Sequence, residues 1–143
     1  MTEPTAPLAP VHSERTEGSG RPLLLVHPIG ASLRFWDDLL PHLGARMPVL
    51  RYDLRGHGQS GRNPEARPYR GEQFVDDVVL AAAALGAAPV LVGASMGGLT
   101  GLMAQARDRV FSALVLVDIT PRWEASGVER ILGFMTAHPD GFE

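Results

Sequence analysis

Short apolar runs alternate with longer amphipathic segments along most of this 143-residue chain, and the alternation limits its possible folds. A run that is apolar at every position, such as 23–26, is typical of a strand buried on both faces of a parallel sheet. Parallel strands need crossover connections, which are usually right-handed helices. The pattern predicts an α/β protein with a doubly wound, mostly parallel sheet built from strands near 23–26, 49–52, 89–92 and 113–117.

Polar residues that could take part in catalysis or binding follow the predicted strands. His27, Asp53, Ser95 and Asp118 each come at or shortly after the end of one of them. Ligands of doubly wound sheets bind at the carboxyl ends of the strands. We therefore expect the functional site at this edge of the sheet.

Charge and composition exclude several functions. The chain has 13 Lys+Arg against 16 Asp+Glu, a formal charge of -3, and no basic cluster that could neutralise a phosphate backbone, so nucleic acid is not an expected partner. The absence of cysteine excludes disulfides, thiolate metal sites and a cysteine nucleophile. Residues 1–10 carry three prolines and no signal-peptide pattern, which predicts a disordered leader and a cytoplasmic protein.

A membrane partner is not expected either. Residues 78–106 carry no charge and are long enough to cross a bilayer, but glycines and Pro89 interrupt them. A helix, a turn, a buried strand and a second helix fit this composition better than one membrane span.

The segment Gly93-Ala94-Ser95-Met96-Gly97 lies between an apolar strand and a predicted helix. Gly-x-Ser-x-Gly in this context is the pattern of a sharp turn that presents a serine nucleophile. The backbone N–H of Met96, at the start of the helix, would stabilise a developing oxyanion. The alternative is an ordinary turn, since glycine and serine are both common in turns.

Four landmarks together resemble the α/β-hydrolase superfamily, in particular bacterial esterases, enol-lactonases and cofactor-free haloperoxidases. They are Leu24-Leu25-Val26-His27-Pro28-Ile29-Gly30, Phe35-Trp36, Asp53-Leu54-Arg55-Gly56-His57-Gly58-Gln59-Ser60 and Gly93-Ala94-Ser95-Met96-Gly97-Gly98. The resemblance implies an oxyanion loop after His27, with the Ile29 N–H as the second donor beside Met96. Pro28 has no N–H and cannot serve.

A serine at position 95 implies acyl transfer in this superfamily. Branches that open epoxides or displace halide resemble the chain but have aspartate there. The expected function is that of a serine hydrolase acting on a small hydrophobic ester or lactone through an acyl-enzyme, without metal or cofactor. Two alternatives remain open: an acyltransferase, and a catalytically inactive receptor or scaffold that keeps the pocket.

The resemblance covers only an amino-terminal half. Asp118 is a possible triad acid, whereas His138 is expected to be a surface residue, and His27 and His57 are expected to pack in loops. The base is expected beyond Glu143, so that the fragment alone would be inactive. Residues 11–121 would form the core, and residues 122–143 would form the start of a helical cap. Four apolar residues of this cap would either face the acyl pocket or pack as in an ordinary helix: Trp123, Ile131, Phe134 and Met135.

The predicted strand 113–117 is apolar on both faces, and no further strand follows it in the sequence. An unpaired apolar edge recruits other chains. Self-association through this sheet edge is therefore the expected behaviour of the fragment.

Overall fold

The computed structural model describes residues 11–122 and 124–140, in which five strands form one mixed sheet. The strands are β1 (Ser13–Thr16), β2 (Leu23–Val26), β3 (Val49–Tyr52), β4 (Val90–Ala94) and β5 (Ala113–Val117). Their order across the sheet is β1-β3-β2-β4-β5, with β1 antiparallel to β3 and all other neighbours parallel. The predicted mostly parallel sheet is confirmed.

Helices cover both faces of this sheet. The helices that do so are α1 (Leu40–Leu43), α2 (Gly71–Ala83) and α3 (Met96–Asp108), with 3-10 turns at Leu33–Trp36 and Gly44–Arg46. A fourth helix, α4 (Ala125–Thr136), has no buried residue. Leu24 and Val26 of β2 pack with Phe74 of α2, whereas Leu23 and Leu25 pack on the opposite side with Trp36. Burial on both faces explains why β2 is apolar at every position.

Trp36, Leu39, Leu40 and Leu43 recur at helical spacing after Ser32, which favours one helix, but the segment does not form one. Ser32 caps a 3-10 turn, its hydroxyl oxygen accepting the Arg34 N–H at 3.3 Å, and α1 begins only at Leu40. Pro41 lies in the first turn of α1. Proline lacks an N–H to bond the preceding turn, so the segment breaks into short pieces.

Arg51 is a charged residue in the otherwise apolar, buried strand β3. Its guanidinium donates to the Asp37 carboxylate at 2.5 Å, to the Glu14 carboxylate at 2.8 Å and to the Leu33 carbonyl at 3.0 Å. These bonds satisfy the buried charge and join β1, β3 and the first 3-10 turn.

Strand β5 forms one edge of the sheet. Val115 and Val117 are 47% and 40% exposed. Across residues 11–122 and 124–140, no helix combines the length and hydrophobicity that a bilayer crossing requires. The leader expected at 1–10 lies outside the described residues.

Candidate active site

Ser95 occupies a strained turn between β4 and α3. Its backbone has φ 48° and ψ −116°, a conformation that residues with a side chain rarely adopt. The Ser95 N–H donates to the carbonyl of Val117 in β5 at 2.8 Å, which ties the turn to the neighbouring strand. Ser95 thus lies at the amino end of a 13-residue helix, where free N–H groups favour negative charge.

Three glycines allow the backbones around Ser95 to approach closely. A Cβ atom on Gly93 would lie 2.5 Å from the Cα atom of Gly98, and one on Gly97 would overlap the carbonyl oxygen of Val26. Any side chain at 93 or 97 would therefore push β4, α3 and β2 apart. Close packing of these elements explains the Gly-x-Ser-x-Gly spacing.

The Ile29 N–H, in the loop after β2, is available to a ligand. Pro28 has none, the Gly30 N–H donates to Nε2 of His57 at 3.0 Å, and the Ala31 N–H donates to the Pro28 carbonyl at 3.3 Å. Within the described residues, the Ile29 N–H has no hydrogen-bond partner. Ile29 is therefore the donor that this loop can offer to an anion.

Two histidines hold that loop in place. His27 is buried, its Nδ1 bonding the Pro28 carbonyl at 2.6 Å and its Nε2 accepting the Leu54 N–H at 2.9 Å. Burial, the largest cause, lowers the pKa of His27, so the ring is neutral near pH 7. His57 uses Nδ1 to bond the Arg55 carbonyl at 3.1 Å while Nε2 holds Gly30. Both rings are fully engaged as structural groups.

A cleft of about 610 Å³ brings the two expected oxyanion donors, Ile29 and Met96, to one surface. The Met96 N–H, like that of Ile29, has no partner in the part of the chain that the structure describes. Tyr69 and Phe74 add aromatic surface. The complete lining is Ile29, Arg55, Gly56, His57, Arg62, Tyr69, Arg70, Gly71, Phe74 and Met96.

The loop that follows β3 is fixed by the buried carboxylate of Asp53. Its two oxygens accept the Leu33 N–H at 2.7 Å and the Gln59 N–H at 2.9 Å. Further along, buried Arg55 forms a bidentate pair with buried Asp77 of α2, at 2.7 and 2.8 Å. These bonds hold the loop against both the first 3-10 turn and α2.

Asp118 directly follows the residue whose carbonyl accepts the Ser95 N–H. It is exposed and has a left-handed φ of 56°. No hydrogen bond joins the Ser95 hydroxyl to His27, His57 or Asp118 in the described part of the chain. The described residues therefore present Ser95 and the two N–H groups expected to act as oxyanion donors, and neither His27 nor His57 bonds the serine hydroxyl.

Helix α4 touches the site at one point. The Met135 methyl group lies 2.7 Å from the position of a Cβ atom on Gly30, so this side chain rests on the oxyanion loop. Ile131 and Phe134, also expected to face an acyl pocket, are 57% and 60% exposed and do not line the cleft. Trp123 lies outside the described residues.

Arg62, Tyr69 and Arg70 line the cleft, which the sequence pattern does not predict. The pattern of 55–70 indicates only a polar loop rich in glycine and proline. Arginine is common in such loops, and only the folded path of this one places these side chains beside Ile29 and Met96.

Comparison with known proteins identifies the family of this chain and some of its relatives. The alpha/beta hydrolase fold family matches residues 21–142. Lipase LipV of Mycobacterium tuberculosis is 36% identical over 137 residues, which make up 91% of this chain and 49% of the lipase. A pimeloyl-[acyl-carrier protein] methyl ester esterase of Neisseria meningitidis is 40% identical over 90 residues, 62% of this chain and 33% of the esterase.

A solved α/β hydrolase from Novosphingobium aromaticivorans superposes with a TM-score of 0.79 at 29% identity, over 88% of this chain and 46% of that one. The chain spans about half the length of the lipase and of this hydrolase, and a third of the esterase. The sequence match extends over both the oxyanion loop and the Ser95 turn. The chain belongs to the α/β-hydrolase family, whose members similar to it include lipases and esterases.

Proposed function

We propose that this chain carries the nucleophile and the oxyanion donors of a serine hydrolase that cleaves carboxylic esters or lactones through an acyl-enzyme. The observation that carries the proposal is the strained backbone of Ser95 at the start of α3, next to a cleft lined by Met96 and Ile29. The relatives named as lipase and esterase support ester cleavage as the reaction class.

In the proposed reaction, the Ser95 hydroxyl oxygen attacks the carbonyl carbon of the substrate and loses its proton to a base. The carbonyl oxygen becomes an oxyanion, which accepts hydrogen bonds from the N–H groups of Met96 and Ile29. Collapse of this intermediate expels the alcohol and leaves an acyl group on Ser95, which water then removes.

The base of this reaction would come from outside the described residues. His27 and His57 use both ring nitrogens elsewhere. We propose Asp118 as a candidate for the acid that orients the base, because it adjoins the strand residue bonded to Ser95. Asp118→Asn tests this role without disturbing the left-handed backbone, which asparagine tolerates.

Helix α4 is proposed as the start of a cap over the acyl site. The contact between Met135 and Gly30 supports this, because it places the helix against the oxyanion loop. A cap that rests on this loop would shape the acyl pocket and help to exclude water.

One observation favours a second candidate, a catalytically inactive receptor that keeps the fold and the cleft. The two histidines of the neighbouring loops, His27 and His57, bond other groups and not the Ser95 hydroxyl. A receptor would bind an ester without turnover even when the carboxyl-terminal half of a related hydrolase is supplied.

The test is a chimaera in which this chain is followed by the carboxyl-terminal half of lipase LipV. We expect hydrolysis of p-nitrophenyl butyrate, and a fall of about 10³-fold or more in kcat for Ser95→Ala. Ser112→Ala, at an exposed serine before β5, is the control and should retain activity. A folded chimaera that is inactive, or in which Ser95→Ala retains activity, would refute the hydrolase proposal.

A further inference from the structure

The cleft beside the oxyanion donors has a cationic wall. Ile29, Met96 and Phe74 give it an apolar surface, while Arg62 and Arg70 line it from the loop between β3 and α2. None of the described residues that line the cleft carries a carboxylate. An acyl group that enters the cleft must therefore suit both the positive charge and the apolar surface of its wall.

The positive charge of this wall is not neutralised by the protein. Arg55 also lines the cleft, but its charge is paired with the buried carboxylate of Asp77, and its guanidinium also donates to Asn63. Arg62 and Arg70, in contrast, are exposed and form no ion pair with any acid among residues 11–122 and 124–140. Two guanidinium groups are thus available to an anion inside the cleft.

Tyr69 and α2 add further features that favour an anion. The Tyr69 hydroxyl oxygen accepts the Asn63 N–H at 3.1 Å, which leaves its O–H hydrogen free to donate to a ligand. Its ring packs against Gly56, so that the hydroxyl is held at the cleft wall. Gly71, another lining residue, begins the 13-residue helix α2, whose amino end favours negative charge.

We infer that the cleft selects an acyl group carrying a second, anionic carboxylate, as in a monoester or a lactone of a dicarboxylic acid. The inference rests on the proposed function, because it assigns the cleft to the acyl side of the ester that Ser95 attacks. Arg62 and Arg70 bind the distal carboxylate, and Phe74 and Ile29 contact the apolar carbons between the two carboxyl groups. A volume of about 610 Å³ is in the range of small-molecule sites.

The test measures binding to the chain with Ser95→Ala, which prevents turnover. The probes are monoethyl adipate and ethyl hexanoate, which differ only in having a carboxylate or a methyl group at the distal end. In ligand-observed magnetic resonance titrations at low salt, we expect monoethyl adipate to bind about tenfold more tightly, with the preference shrinking as salt rises. Equal affinity, or no binding of either ester, would overturn the inference.

Variants then show which residues cause the preference for monoethyl adipate over ethyl hexanoate. Arg62→Gln and Arg70→Gln should each reduce it, and the double variant should bind both esters equally to within about twofold. Arg67→Gln is the matched control, since Arg67 is exposed on the same loop but does not line the cleft. A preference that survives the double variant, or that Arg67→Gln also abolishes, would overturn the assignment to Arg62 and Arg70.

Failure of this inference is distinguishable from failure of the hydrolase proposal. If the LipV chimaera cleaves both esters with equal kcat/KM and loses activity in Ser95→Ala, the hydrolase proposal stands and the carboxylate inference falls. If the chain prefers monoethyl adipate in binding but the chimaera never cleaves it, the cleft is a carboxylate site and the hydrolase proposal falls.

Discussion

The backbone N–H of Gly30 donates a 3.0 Å hydrogen bond to Nε2 of His57, which joins the loop after β2 to the loop after β3. This bond occupies the N–H next to Ile29 and fixes the peptide that carries the proposed oxyanion donor. We therefore propose that His57 is a positioning residue and not the base.

His57→Ala should lower kcat in the LipV chimaera by less than about tenfold and leave KM unchanged, because a positioned donor is loosened but no proton transfer is lost. His42→Ala, in the exposed helix α1, is the control and should have no effect. A collapse of about 10³-fold in kcat for His57→Ala, with unchanged circular dichroism, would identify His57 as the base instead.

His27 should make the fold less stable in acid. Burial lowers its pKa below the ordinary value of 6.5, so the unfolded chain binds a proton more readily than the folded one. The free energy of unfolding therefore keeps its full value above pH 6.5 and decreases as the pH drops from 6.5 towards the lowered pKa of His27. Urea unfolding of the chain at a series of pH values should show this loss, and His27→Asn should have a smaller pH slope. Identical pH slopes for the parent chain and His27→Asn would contradict the assignment of this acid sensitivity to His27.

Asp77 and Asp76, neighbours on α2, should respond very differently to substitution by asparagine. Asp77→Asn leaves the buried Arg55 guanidinium without a counter-charge and should lower the free energy of unfolding by about 3–5 kcal/mol. Asp76 pairs with Arg107 at the surface, and Asp76→Asn should cost less than about 1 kcal/mol. Equal losses in urea denaturation would show that burial does not set the strength of the Arg55–Asp77 pair.

The exposed edge at β5 should drive association, as proposed from the sequence. Val115 and Val117 expose apolar surface on a strand with a free edge. We expect oligomers of the chain in size-exclusion chromatography, and a shift towards monomer for Val115→Lys, because a charged edge strand resists pairing. Leu80→Lys changes an equally apolar, 54% exposed residue on α2 and should leave the oligomers intact. A monomeric parent chain would refute the proposal.

Features set by nearby residues could be predicted from the sequence. The apolar run 23–26 and the close glycines beside Ser95 determine β2 and the strained turn locally, so both were predictable. Pro41 shows the limit of periodicity: apolar spacing favoured one helix, but a single missing N–H divides it.

The charged wall of the cleft could not be predicted in the same way. Arg62 and Arg70 lie beside Ile29 and Met96 because Asp53 and Arg55 fix the path of the loop between β3 and α2 through bonds to Leu33 and Asp77. Those bonds join segments distant in sequence. No local pattern of residues encodes their geometry.

The central claim is that Ser95 is an acyl nucleophile whose base lies outside the described residues. Mapping a fluorophosphonate adduct by mass spectrometry is its most direct test. We predict stoichiometric labelling of Ser95 in the LipV chimaera, no labelling in its Ser95→Ala variant, and negligible labelling of the 143-residue chain purified as a monomer. Labelling that persists in the Ser95→Ala chimaera would contradict the nucleophile assignment. Stoichiometric labelling of Ser95 in the chain alone would show that a base is already present in it.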